Sequence, residues 1–218
     1  MLTYPKTFQP TIGNTMYKRD LPLIRDHALA SPEGLHDVVT FVLCTIQSGL
    51  STCKLQLADI RINGAASKYL WGAKAGGYQY AKDNALKLWA EANMLVEQGL
   101  SDPENVAKAV YHFMQIPGLG MVKASFVCQM LGFNVSCIDS HNLKRLGLDV
   151  NAVKVSAKLS EIKQLRKVEA YVVMCQLEGT EYWWDSWCEY VAGNRANKRL
   201  DSGDAVSAYH VDCVIGNY

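Results

Sequence analysis

Helical periodicity recurs along the chain, whereas the strict apolar/polar alternation of a half-buried strand is scarce. "LHDVVTFVLCTIQSG" is apolar almost all round from Val38 to Ile46 and predicts a central helix buried on every side. "YAKDNALKLWAEANMLVEQG" places Ala81, Ala85, Leu88, Trp89, Ala92, Leu95 and Val96 on one stripe, which predicts a long helix stopped at Gly99. In "SDPENVAKAVYHFMQ", Ser101 or Asp102 caps a further helix with Pro103 at its first position; Val106, Ala109, Val110 and Phe113 face inward. A short turn, "IPGLG", leads into the next helix, with Val122, Phe126, Val127 and Met130 on its apolar side. "VSAKLSEIKQLRKVEAYVVMCQL" is amphipathic through Val155, Leu159, Ile162 and Leu165, and "EYWWDSWCEYVAG" adds Trp183, Trp184 and Trp187. The fold class read from this pattern is mostly α.

Two short features carry candidate chemistry. Gly118 and Gly120 let the backbone turn sharply and approach another molecule closely, and the helix that follows offers unpaired N–H groups and the positive end of its dipole. Such a turn holds a phosphate, or it simply joins two packed helices. Asp139 precedes "SHNLKRLG", where an aspartate caps a helix; a carboxylate fixed in that way can also stabilise positive charge on a sugar or orient a nucleophile. Lys123 stands sixteen residues before it.

Composition narrows the setting. With 218 residues, 49% of them hydrophobic, the chain can bury a real core as one globular unit or two small lobes. No run has the length and apolarity of a membrane span, and the amino terminus lacks a signal-peptide pattern, so a cytoplasmic protein is expected, in the host cytoplasm if the source is viral. The seven cysteines form no C-x-x-C pair and fall mostly inside apolar runs, which predicts reduced core thiols and no metal or iron-sulfur site. A net charge of +1 leaves any nucleic-acid binding to a local patch.

The order helix, "IPGLG", helix, then "CIDSH" resembles the endonuclease III-like, helix-hairpin-helix (HhH-GPD) DNA glycosylase superfamily, whose aspartate stands about twenty residues beyond the hairpin's second glycine. Here Gly120 to Asp139 is nineteen. "TFVLCTIQSGLSTCK" looks like the family's buried helix ending in a glutamine that wedges into DNA, and "GGYQYAKDNALKL" is similar to the segment where a glycine-tyrosine pair precedes the helix leading toward the hairpin. The resemblance covers about residues 36–148. It implies a two-lobed helical fold without an iron-sulfur cluster: residues 36–136 as a helical barrel carrying the hairpin at 116–120, and residues 1–35 with 137–218 as a second lobe, the cleft between them receiving an extruded base. It further implies catalytic roles for Asp139 and Lys123, and DNA contacts from Gln47, Gly118, Leu119, Gly120, Lys144 and Arg145. Tyr78, His141 and Trp184 are its candidates for the base pocket. It implies a monomer with DNA as partner, no membrane, and no cofactor beyond a monovalent cation at the hairpin.

The chain departs from the family at the nucleophile. The lysine slot of bifunctional members, two residues after the second glycine, is Val122 here, and Lys123 is rotated from it by about 100° and raised by about 1.5 Å. Lys123 can be a shifted nucleophile, an anchor for a phosphate, or a solvated residue of the first turn. His141 can equally be a packed, hydrogen-bonded histidine, and Lys144 and Arg145 solvated charges.

Three functions follow. The first is base-excision repair by a monofunctional DNA glycosylase, a hydrolase in which Asp139 stabilises the sugar cation or activates water after base flipping. The second is phage-type DNA modification, as in the similar thymine-hypermodification (alpha-glutamyl/putrescinyl thymine pyrophosphorylase) branch, replacing pyrophosphate on 5-hydroxymethyl-uracil with an amine. The third is a non-catalytic module that recognises DNA structure.

Overall fold

The computed structural model describes residues 14–48, 50–140, 142–143, 149–180 and 182–183. Eight α-helices, two short 3-10 turns and no strand lie among these residues: α1 (Asn14–Ala30), α2 (Pro32–Cys44), α3 (Leu50–Asn63), α4 (Ala73–Asp83), α5 (Ala85–Gln98), α6 (Pro103–Phe113), α7 (Met121–Met130) and α8 (Glu161–Glu178). The mostly helical expectation holds.

Helix α2 is central because its sequence offers no polar face broad enough for water. Leu35, Val38, Val39, Phe41, Val42 and Leu43 are all buried, each contributing about 1.5–3 kcal/mol relative to exposure. Around it pack α1, α3, α4, α5 and α7. Its start is set locally: Ser31 Oγ accepts from Gly34 N at 3.0 Å, and Pro32 fills the first helical position. Helix α6 starts the same way, with Asp102 rather than Ser101 as the cap, its carboxylate accepting from Asn105 N at 2.9 Å.

Two expected helices have different bounds. The single long helix predicted to end at Gly99 is two, α4 and α5, broken at Asn84, whose side chain donates to Tyr80 O at 2.8 Å and so competes with the backbone ladder. The end at Gly99 is as expected, with φ +125°. The stretch "LWGAKAGGY" is largely the start of α4, with Lys74, Gly77 and Tyr78 buried. In the carboxy-terminal half, α8 begins only at Glu161, after Val155 and Leu159; its inward stripe is Val168, Tyr171, Val172 and Cys175, and Ile162 is 66% exposed. That face covers α6.

Cys44, Cys53, Cys128 and Cys175 are buried and Cys137 is half-buried, and no disulfide joins them, as expected of core thiols. Among the described residues no helix is long and apolar enough to cross a membrane.

Candidate functional site

The turn between α6 and α7 is closed by Leu119 N donating to Ile116 O at 3.0 Å. Gly118 adopts φ +85°, where an L side chain is strained, and a Cβ there would stand 3.1 Å from Ala73 O at the start of α4. From the other side, a Cβ on Gly77 would collide with the carbonyl of Pro117 and press on Leu43. Glycine is therefore required on both faces of one seam, where α4 lies backbone-to-backbone against the turn. Pro117, Gly118 and Gly120 are exposed, while Leu119 turns its side chain into the core. Unlike α2 and α6, α7 has no side-chain cap; Gly120 O accepts from Lys123 N and Ala124 N.

Lys123, in the first turn of α7, is half-buried and directed back at α2. Its Nζ donates to Thr45 Oγ1 at 2.9 Å and lies 5.6 Å from the Phe126 ring centre. Thr45 in turn donates its own proton to Val42 O at 2.6 Å, which leaves its oxygen to accept from the lysine. The solvated reading of Lys123 does not fit this placement. Val122, in the family's lysine slot, is half-buried against the core.

Asp139 caps the turn that follows it: Oδ1 accepts from Asn142 N at 3.1 Å, and its carbonyl from Leu143 N at 3.0 Å. The segment before it is clamped. Tyr171 on α8 donates to Ser136 O at 2.6 Å and accepts from Ile138 N at 3.0 Å, and Gln129 Oε1 accepts from Cys137 N at 3.2 Å. Burial pushes the Tyr171 hydroxyl far above its ordinary range, so it acts as a neutral strut. The Cys137 thiol feels both of the expected catalytic residues. Burial pushes it up to about 11, Lys123 acting to lower it and Asp139 to raise it. Lys123 and Asp139 thus both act on the thiol that precedes the capped aspartate.

A second lysine joins them that sequence reasoning did not find. Lys74, in the first turn of α4, is only 3% exposed. Its Nζ is 3.4 Å from Ser48 Oγ and 5.4 Å from the centre of the half-exposed Trp71 ring. Burial holds its ammonium below the ordinary lysine range, with Lys123 lowering it further, partly offset by the Cys44 and Cys53 thiols. Both lysines act on Cys53, which burial raises to about 11. One signal was available: Lys74 has no acidic residue three or four positions away in a stretch of otherwise small and aromatic residues. Tyr171 was equally legible from the Val168, Tyr171, Val172, Cys175 spacing, which a different choice of stripe obscured.

The remaining candidates divide. Gln47 is exposed in the turn after α2, with φ +54°, an uncommon conformation for a residue other than glycine. Tyr78 lies within α4, buried with its ring 4.9 Å from His36, nine residues and about 13 Å of helix rise before Thr45. His141, Lys144, Arg145 and Trp184 lie outside the described residues. Trp183 is buried, donating Nε1 to Cys175 O at 3.1 Å.

No family model, no curated protein and no solved structure matches this chain. Its functional reading therefore rests on the geometry above and on the motifs that carry the family resemblance.

Proposed function

We propose that this chain acts on a base extruded from DNA, as a monofunctional N-glycosylase of helix-hairpin-helix type, with α6, the 116–120 turn and α7 as the hairpin. The observation that carries the reading is that a half-buried Lys123, tied to Thr45 Oγ1, follows an exposed glycine turn whose helix has no side-chain cap, and acts together with the capped Asp139 on the Cys137 thiol. The turn would hold a backbone phosphate with its glycine amides and the helix dipole. Gln47, exposed and in a left-handed conformation, would occupy the space left by the extruded base. Asp139, held by its cap and the Tyr171 clamp, would stabilise the sugar cation while water adds at the anomeric carbon; the glycosidic C–N bond breaks and the base leaves with its electron pair and a proton. Lys123 is not placed as a free nucleophile, since its Nζ is held by Thr45, so a lyase step forms no part of the reading.

The same tether supports a second reading, replacement of pyrophosphate on a modified pyrimidine by an amine. There Lys123 would hold the leaving pyrophosphate and Asp139 would orient the amine. Duplex oligonucleotides carrying damaged and modified bases, assayed by mass spectrometry, separate the two: released base with an abasic product supports the glycosylase, and added mass without base loss supports transfer. Asp139→Asn keeps a good cap and should abolish either turnover by about a hundredfold or more. An Asp139→Asn protein that binds DNA and works as before would leave only a non-catalytic module.

A further inference from the structure

We infer that Lys74 and Lys123 together form an oxyanion pocket that takes a phosphoryl group, seated at the carboxy-terminal end of α2 between α3, α4 and α7. The inference adds a ligand class and a residue to the site above, and its first test does not depend on any action on DNA.

The two cations arrive from opposite sides of the seam. Ala73 touches Gly118 of the turn, so the next residue, Lys74, enters beside it; Lys123 enters from α7, three residues after Gly120. Their hydroxyl partners, Thr45 for Lys123 and Ser48 for Lys74, stand three residues apart just past the end of α2, and both lysines act on the Cys53 thiol of α3. Their partners are hydroxyls and ring faces: Ser48 Oγ and Trp71 for Lys74, Thr45 Oγ1 and Phe126 for Lys123. Among the described residues no carboxylate stands within 4.0 Å of either ammonium. Each ammonium has three N–H donors and makes one hydrogen bond among the described residues, which leaves donors on both for a ligand.

A buried ammonium with a second ammonium near enough to act on it is unfavourable unless a negative charge offsets the pair. Helix α4 nevertheless places Lys74 in the interior when its exposed side was open to a charged residue. A phosphoryl group fits the chemistry best. It carries close to two negative charges and several acceptor oxygens in a tetrahedral array, which suits compact point charges approaching from different directions; a lone carboxylate is better matched by the planar fork of an arginine. Ser48 Oγ supplies a neutral donor at the same place. The phosphoryl group can belong to a DNA backbone or to a free phosphate or diphosphate.

Calorimetric titration of the full chain with inorganic pyrophosphate, alongside anisotropy of a fluorescein-labelled duplex containing an abasic analogue, distinguishes these sources. Lys74→Gln and Lys123→Gln should each weaken binding about tenfold or more on at least one probe, as expected for loss of a charge-assisted hydrogen bond. Loss confined to pyrophosphate assigns a free diphosphate ligand, and loss confined to the duplex assigns a backbone phosphate. A wild-type chain that binds neither probe, or a Lys74→Gln protein that binds every probe as the wild type does, overturns the inference. Lys74→Met guards against a purely structural role: without added anion it should melt at or above the wild-type temperature, because a buried cation has been removed. A fall in melting temperature shared by Lys74→Met and Lys74→Gln marks Lys74 as a strut and also overturns it. No turnover is read, so failure of base release leaves this result intact, and loss of anion binding leaves the Asp139 chemistry to its own test.

Discussion

The two walls of the candidate site are built on opposite principles. On the aspartate wall, the main chain from Ser136 to Asp139 is held by hydrogen bonds from side chains: Tyr171 at both ends of a short stretch, Gln129 at Cys137, and Gln176 donating to Asn134 O at 3.1 Å just upstream. On the lysine wall, backbone packs directly on backbone through Gly77, Gly118 and Ala73, and the charged groups at its edge have hydroxyls and rings as partners. One wall holds a carboxylate at a fixed place; the other gathers positive charge. The pairing is that of a site in which position matters for one group and field for the other.

The comparison predicts unequal damage. Gly77→Ala on the lysine wall should cost the most stability after loss of a whole side of the core, about 3 kcal/mol or more, because the new Cβ meets a carbonyl that cannot swing aside. A denaturant midpoint near that of the wild type would mean that α4 and the turn are not in contact. Tyr171→Phe on the aspartate wall should cost about 1–3 kcal/mol, since Ser136 O and Ile138 N lose a buried partner. It should also reduce any Asp139-dependent turnover more than Gln176→Ala does; equal effects would deny the clamp a role in positioning.

Smallest is the response to acid, which lies outside both walls. Burial lowers the pKa of His36, whose Nε2 has no hydrogen-bond partner among the described residues, and of His112, where burial outweighs Glu91 at 2.7 Å. The unfolded chain takes up these protons near pH 6.5 and the folded chain only below that, so their share of stability is intact above about pH 6.5 and is lost as pH falls through the folded values. Melting temperature should decline from about pH 7 toward pH 5, and His36→Phe should flatten the decline. An unchanged slope in that variant would show that His36 has no share in it.

How much of this was legible in the sequence follows the range of the interaction that decides each part. The central helix, the turn at 116–120, the stop at Gly99 and the caps at Asp102 and Asp139 depend on residues within a few positions of one another, and they were read correctly. The break at Asn84 was missed although it is local, because one side-chain hydrogen bond to Tyr80 O outweighed a continuous apolar stripe. The orientation of α8 was missed for a different reason. Two overlapping stripes are present, and only packing against α6 chooses Val168, Tyr171, Val172 and Cys175 over Val155, Leu159, Ile162 and Leu165.

By itself the sequence determined the helical class, the hairpin turn and the capped aspartate, since backbone geometry and capping are settled by short-range sterics and hydrogen bonds. Tertiary structure alone decided that Lys123 reaches Thr45, that Tyr171 fixes the approach to Asp139, and that Lys74, 49 positions from Lys123 in sequence, is near enough to feel its charge. Those meetings depend on which helix faces share an interior, and that is set by the packing of the whole chain against water rather than by any segment of it.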